Sequence, residues 1–97
     1  MRPVQLADIE VAARVLMPID PPARFRVMTE IVDRAVAADR YRKTCGRAHP
    51  DFGCGTLMSA AERYEKIARP VSCGRDYLAC VVIVASVLTD RHSNQFL

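Results

Sequence analysis

Apolar residues recur at helical spacing through most of this chain, and the pattern fails at three places: Pro18 to Pro22, Thr44 to Gly55, and Val71 to Arg75. Four helical stretches lie between these breaks. The first starts at Asp8 or the residue before it and ends at Leu16 or Met17, ahead of Pro18. Ile9, Ala12, Ala13 and Leu16 form its apolar face, and Glu10 can pair with Arg14 four residues on. In the second, Asp20 caps a helix running from about Pro21 to Lys43, with proline tolerated in the first turn. Its stripe is Phe25, Met28, Ile31, Val32, Ala35 and Val36, while Arg24, Arg26, Glu30, Asp33, Arg34 and Arg40 fall mostly outside it. Glu30 with Arg34 and Asp39 with Lys43 have the favourable order, acid before base. Gly46 is a natural stop.

The third helix, capped by Gly55 or Thr56, buries Leu57, Ala60, Ala61, Tyr64, Ile67 and Ala68 and ends at Pro70, with Glu62 and Lys66 paired outside. The fourth runs from about Cys73 to Arg91, with Arg91 and His92 in its last turn and a frayed end from Ser93. Its valines and Ile83 favour strand. From Arg75 onward, however, the stretch has no Gly or Pro, exceeds an ordinary strand, and would find no partner strand elsewhere. Apolar nearly all round, it is expected to be the central helix, covered by the other three or by a second subunit. Val81, Val84, Val87 and Leu88 exceed what one side of a small bundle covers, which predicts a homodimer. The fold class is therefore all-α: one compact, four-helix bundle-like domain over residues 1–97.

Composition narrows the function classes. Half of the 97 residues are apolar, too many for a disordered chain. Six are aromatic and none is Trp, so the core rests on Ala, Val, Leu, Ile and Met. The first acidic residues, Asp8 and Glu10, precede any hydrophobic run, against a signal peptide. The longest apolar run, Tyr77 to Ala85, is less than half of the roughly 20 residues a membrane helix needs. These features predict a cytoplasmic protein with reduced cysteines and no membrane partner. A net charge of +3 is too small for a dedicated nucleic-acid binder, whose basic excess is larger and gathered on one face.

Candidate chemistry concentrates between Tyr41 and Ala61, with Cys45, Cys54, His49, three glycines and the adjoining cations Arg40, Arg42, Lys43 and Arg47. No catalytic motif is complete there. Cys45, His49 and Cys54 stand at C-x3-H-x4-C, unlike the close pairs of structural zinc sites, so no metal and no cofactor is expected. A Cys–His pair without an orienting third group is weak grounds for a nucleophile. Asp51-Phe52-Gly53 matches a kinase triplet by chance, because the glycine-rich loop and catalytic loop are missing. Gly53 to Thr56 lacks the lysine of a phosphate loop. Pro50 and Phe52 predict an ordered loop, with Phe52 anchoring it on the bundle. Arg42, Lys43, Arg47, His49, Asp51 and Thr56 are the candidate binding residues, placed around the start of the third helix to receive an anion or a protein partner. Against this stands a scaffolding role, with His49 and Asp51 only tying the loop to nearby backbone groups.

Arg40-Tyr41-Arg42-Lys43, Gly46-Arg47-Ala48-His49-Pro50 and Gly53-x-Gly55-x-Leu57-Met58-x-Ala60-Ala61 resemble a small uncharacterised helical family of alphaproteobacteria. The Met1 to Asp8 start and Asp76-Tyr77 agree with it. The resemblance covers most of the chain. It names a domain of unknown function, so it implies no activity, and its pattern does not require cysteine at 45 and 54. The leading expectation is a small interaction module that uses the loop at 44–56. The alternatives are a nucleic-acid-associated helical protein, or a thiol-dependent redox or metal protein.

Overall fold

The computed structural model describes residues 1–70 and 72–95, and the side chains of these up to Arg91. Four α-helices follow in order: α1 Leu6–Leu16, α2 Arg24–Cys45, α3 Leu57–Ala61 and α4 Arg75–Gln95, with a 3-10 turn at Pro21–Ala23 ahead of α2. No strand occurs among the described residues, and the architecture is the all-α bundle-like domain that the spacing predicts.

Helix α1 begins two residues earlier than its acidic residues suggest. Asp8 stands at the third helical position and accepts the Gln5 N–H at 2.6 Å with Oδ2. Its other oxygen accepts the Met58 N–H at 2.9 Å, so one buried carboxylate closes the start of α1 and docks α3 on it. At the far end, Arg24 reaches back from the start of α2. Its guanidinium donates to the carbonyls of Leu16, Met17 and Ile19, where α1 has ended; the Leu16 carbonyl also receives the Ile19 N–H. The same group forks onto Asp76 at the start of α4, at 3.0 and 3.2 Å. Arg24 was expected outside the stripe and is instead 5 % exposed. The carbonyls of a neighbouring helix end and the Asp76 carboxylate hold it inward.

The core is aliphatic. Ala12, Ala13, Val15 and Leu16 of α1 meet Met28, Ile31, Val32 and Ala35 of α2, closed by Leu57, Ala60 and Ala61 of α3 and by Cys80, Val84 and Val87 of α4. Helix α1, rather than α4, lies at the centre. Helix α4 packs against α1 and α2 with one side only. Val84 and Val87 are therefore covered within the chain, Val81 and Leu88 are half-buried, and the large apolar residues left open on α4 are Leu78 and Val82. Phe25, expected in the α2 stripe, is 55 % exposed.

Helix α3 stops at Ala61, well short of Pro70. Ala68 is exposed and Ile67 half-buried, so the expected long buried face ends with Ala61. Tertiary contacts override the helical propensity of residues 62–68. The Tyr64 hydroxyl bonds Glu30 of α2, the Ile67 N–H donates to the Arg14 carbonyl, and Arg14 Nε donates to the Ile67 carbonyl. Arg69 forks onto Glu10, replacing the expected Glu10–Arg14 pair. The Glu30–Arg34, Asp39–Lys43 and Glu62–Lys66 pairs form as the spacing predicts. Of the last connection, Val71 is outside the described residues, as are the His92 side chain and, in the end expected to fray, residues 96–97.

Candidate functional site

The loop that follows α2 is held by its own side chains. Gly46 takes the left-handed conformation that stops α2, and its N–H closes on the Arg42 carbonyl at 2.8 Å. His49 and Gly53 then exchange backbone bonds of 2.8 and 3.1 Å. Inside this turn, His49 Nδ1 accepts the N–H groups of Asp51 and Phe52 at 3.0 and 3.1 Å. An Nδ1 that accepts twice carries no proton, so the neutral ring keeps its proton on Nε2.

A column of flat groups ties the turn to α2. Tyr41 meets the His49 ring edge-on at 4.9 Å, and His49 stacks on Phe52 at 4.6 Å. The Arg34 guanidinium lies 5.2 Å from the ring centres of both Phe52 and Tyr64. Glu30 completes it, bonding Arg34 and the Tyr64 hydroxyl. Glu30, Arg34 and Tyr41 stand at helical spacing, so one face of α2 carries the column. Phe52 anchors the loop as the sequence predicts.

Asp39 organises the other side. It is buried, at 4 % exposure, beneath Gly55. Arg42 reaches it at 2.8 Å, Lys43 at 3.2 Å and the Met1 ammonium at 3.3 Å. The Arg2 N–H donates to the Gly55 carbonyl beside it at 2.8 Å. Three cations face one carboxylate, so the corner stays positive. The Arg42 bond, ahead of those to Lys43 and the ammonium, holds the Asp39 carboxyl well below the usual carboxylate range, with burial opposing them. A depressed folded pKa stabilises the fold above the unfolded value of about 3.9, and that contribution is lost as pH falls through the folded one. Asp39→Asn is therefore expected to melt lower than wild type at neutral pH, with the difference shrinking below about pH 4. A difference that stays constant down to pH 2 (about two pH units lower) in thermal melts would exclude this.

The six predicted residues separate into three settings. Arg42 and Lys43 belong to the Asp39 cluster, with Arg42 Nε buried and unpartnered. Arg47 is exposed beside Tyr41, which raises its pKa further. His49 and Asp51 sit within the turn, where the Asp51 carbonyl also accepts from Arg63 at 3.0 Å. Thr56 instead caps α3, accepting the Ser59 N–H at 3.1 Å, and lines a cleft of about 380 Å³ with Arg2, Gln5, Asp8 and Met58. Arg40 is exposed, and neither it nor Arg47 has a carboxylate within ion-pair distance among the described residues. Sequence reasoning missed Asp39 as the hub. The signal available was its pair of cations three and four residues on.

All four cysteines are free. Cys54 is half-buried with Sγ 3.6 Å from Thr56 Oγ1. The Thr56 hydroxyl first, then Ser59 and the Thr56 backbone, lower its pKa to about 7, against burial. Burial pushes the Cys80 thiol up. Among the described residues, no three His, Cys, Asp or Glu side chains converge as a metal-ligand set. No helix there is long and apolar enough to cross a membrane.

A family model described as a domain of unknown function (DUF7742) matches residues 2–88, which include the whole loop, its column and the Asp39 cluster apart from Met1. The chain belongs to this family. No curated protein and no solved structure matches it, and no named relative points to a specific function.

Proposed function

We propose that this chain is a small bacterial cytoplasmic interaction module that binds an acidic segment of a protein partner at the corner formed by the end of α2 and the loop 46–56. One observation carries the reading. The loop is fixed by its own hydrogen bonds and ring contacts, while Arg40 and Arg47 stand exposed without a carboxylate in ion-pair reach among the described residues. A rigid loop presenting exposed guanidinium groups loses little entropy on binding, and arginine suits carboxylate recognition. The four free cysteines suit a reducing compartment.

The test separates this surface from the scaffold beneath it. Arg42 holds Asp39, so reversing it would disturb the fold as well as the surface. Arg40→Glu with Arg47→Glu leaves the Asp39 cluster in place and gives up only the surface contact of Arg47 with Tyr41 at the edge of the column. The double variant is expected to melt within about 1 kcal/mol of wild type. Its affinity for a Glu-rich peptide, measured by fluorescence anisotropy at low salt, should fall about tenfold or more. Unchanged affinity ends the reading. Tighter binding to single- or double-stranded DNA than to the peptide transfers the surface to nucleic acid.

A further inference from the structure

We propose that α4 pairs with α4 of a second copy of this chain, antiparallel, through a seam formed by Leu78, Val82, Ala85 and Thr89. This surface is separate from the loop at the end of α2. Helix α4 carries two apolar stripes. The inner one, Cys80, Val84 and Val87, is spent on the core. The outer one runs at spacings of four, three and four residues, the repeat by which one helix packs along another. All four of its residues are exposed, Leu78 at 49 % and Val82 at 62 %. No charged residue occurs from Tyr77 to Thr89, so about three turns of helix present an uncharged flank to water. Ala79 and Ser86 border the seam and are small enough for close approach.

Charge selects the occupant and its direction. Asp76 and Arg91 also flank the uncharged stretch, but they are engaged within the chain by Arg24 and Asp33, which leaves Arg75 as the unengaged charge at one end and Asp90 at the other among the described residues. Two copies related by a two-fold axis midway between Val82 and Ala85 set Leu78 against Thr89 and Val82 against Ala85. The same axis brings Arg75 of each copy within one turn of Asp90 of the other. Parallel pairing would bring arginine to arginine and aspartate to aspartate. The antiparallel arrangement is thus self-complementary in both apolar pattern and charge, as a closed two-fold contact requires. One helix face lies at the small end of protein interfaces, below about 1,200 Å² in total, so a dissociation constant in the micromolar range is expected.

Light scattering on the full chain tests the pairing. Wild type should pass from monomer to dimer mass as its concentration rises through the micromolar range. Val82→Glu should stay monomeric with its circular dichroism retained, because Glu is the better helix former and position 82 faces water in the monomer. Arg75→Glu should weaken the dimer about tenfold. Asp90→Arg added to it should restore the affinity. A wild type that remains monomeric at high micromolar concentration overturns the proposal, as does a dimer that Val82→Glu leaves intact. Failure of the double swap to restore affinity overturns the antiparallel pairing.

Discussion

Arg24→Ala is expected to lower stability by about 3 kcal/mol, among the largest effects of any charged-residue change in this chain. The guanidinium donates to three carbonyls at and just past the end of α1, of which Leu16 also has the Ile19 N–H, and to both carboxylate oxygens of Asp76. Truncation strips these partners at once and opens a gap where the ends of α1 and α2 meet the start of α4. In a domain of this size, each kcal/mol shifts the melting temperature by roughly 4–8 °C, so a fall of order 15 °C should be seen calorimetrically. Arg24→Lys should recover only a small part, because a single ammonium cannot fork onto Asp76 while donating to the carbonyls. Arg24→Met keeps the stem and loses the donors, so it separates packing from hydrogen bonding. A methionine variant as stable as wild type would show that the five bonds contribute nothing net.

Arg24 also marks where the sequence stops being legible. The spacing of apolar residues places four helices and most of the core, because it reports directly which face leaves water. It reads a charged residue as outward by default. The buried position of Arg24 depends on an end of α1 arriving beside it, a tertiary fact with no local trace. Helix α3 fails for the related reason. Residues 62–68 have the composition of a helix, yet Glu30, Arg14 and Glu10 offer Tyr64, Ile67 and Arg69 partners that a continued helix could not reach. Apolar density misleads at α4, since a helix apolar all round can be central, or peripheral with its second side awaiting a partner. Only packing tells which.

The candidate site divides the same way. Phe52 and Pro50 announce an ordered loop because an aromatic beside a proline in a polar stretch has an anchoring use. The cations at 40–47 announce a basic corner. Their deployment is not legible. Arg42 and Lys43 turn inward onto Asp39, while Arg40 and Arg47 remain outside. The placement of Asp39 depends on Gly55 and the Met1–Arg2 segment coming to it from either side of it in the sequence.

Gly55→Ala is therefore expected to break the corner from the loop side, at a cost of about 3 kcal/mol. Two effects combine. Gly55 has φ +97°, where an L side chain is strained. An added Cβ would also stand 2.8 Å from Asp39 Cα and 2.9 Å from its Cβ, and the backbone of a packed helix cannot retreat. The loop must lift, taking with it the Gly55 carbonyl that receives the Arg2 N–H. Two other glycines grade the result. Gly46 has φ +74° with no atom within 4 Å of an added Cβ, so Gly46→Ala should cost the backbone strain alone, about 1 kcal/mol. Gly74 has neither positive φ nor a near neighbour, and Gly74→Ala should leave the melting temperature within a few degrees of wild type. The expected order of melting temperatures is Gly74→Ala above Gly46→Ala above Gly55→Ala. Equal losses at 46 and 55 would mean that strain accounts for the whole effect and that the loop does not press on Asp39.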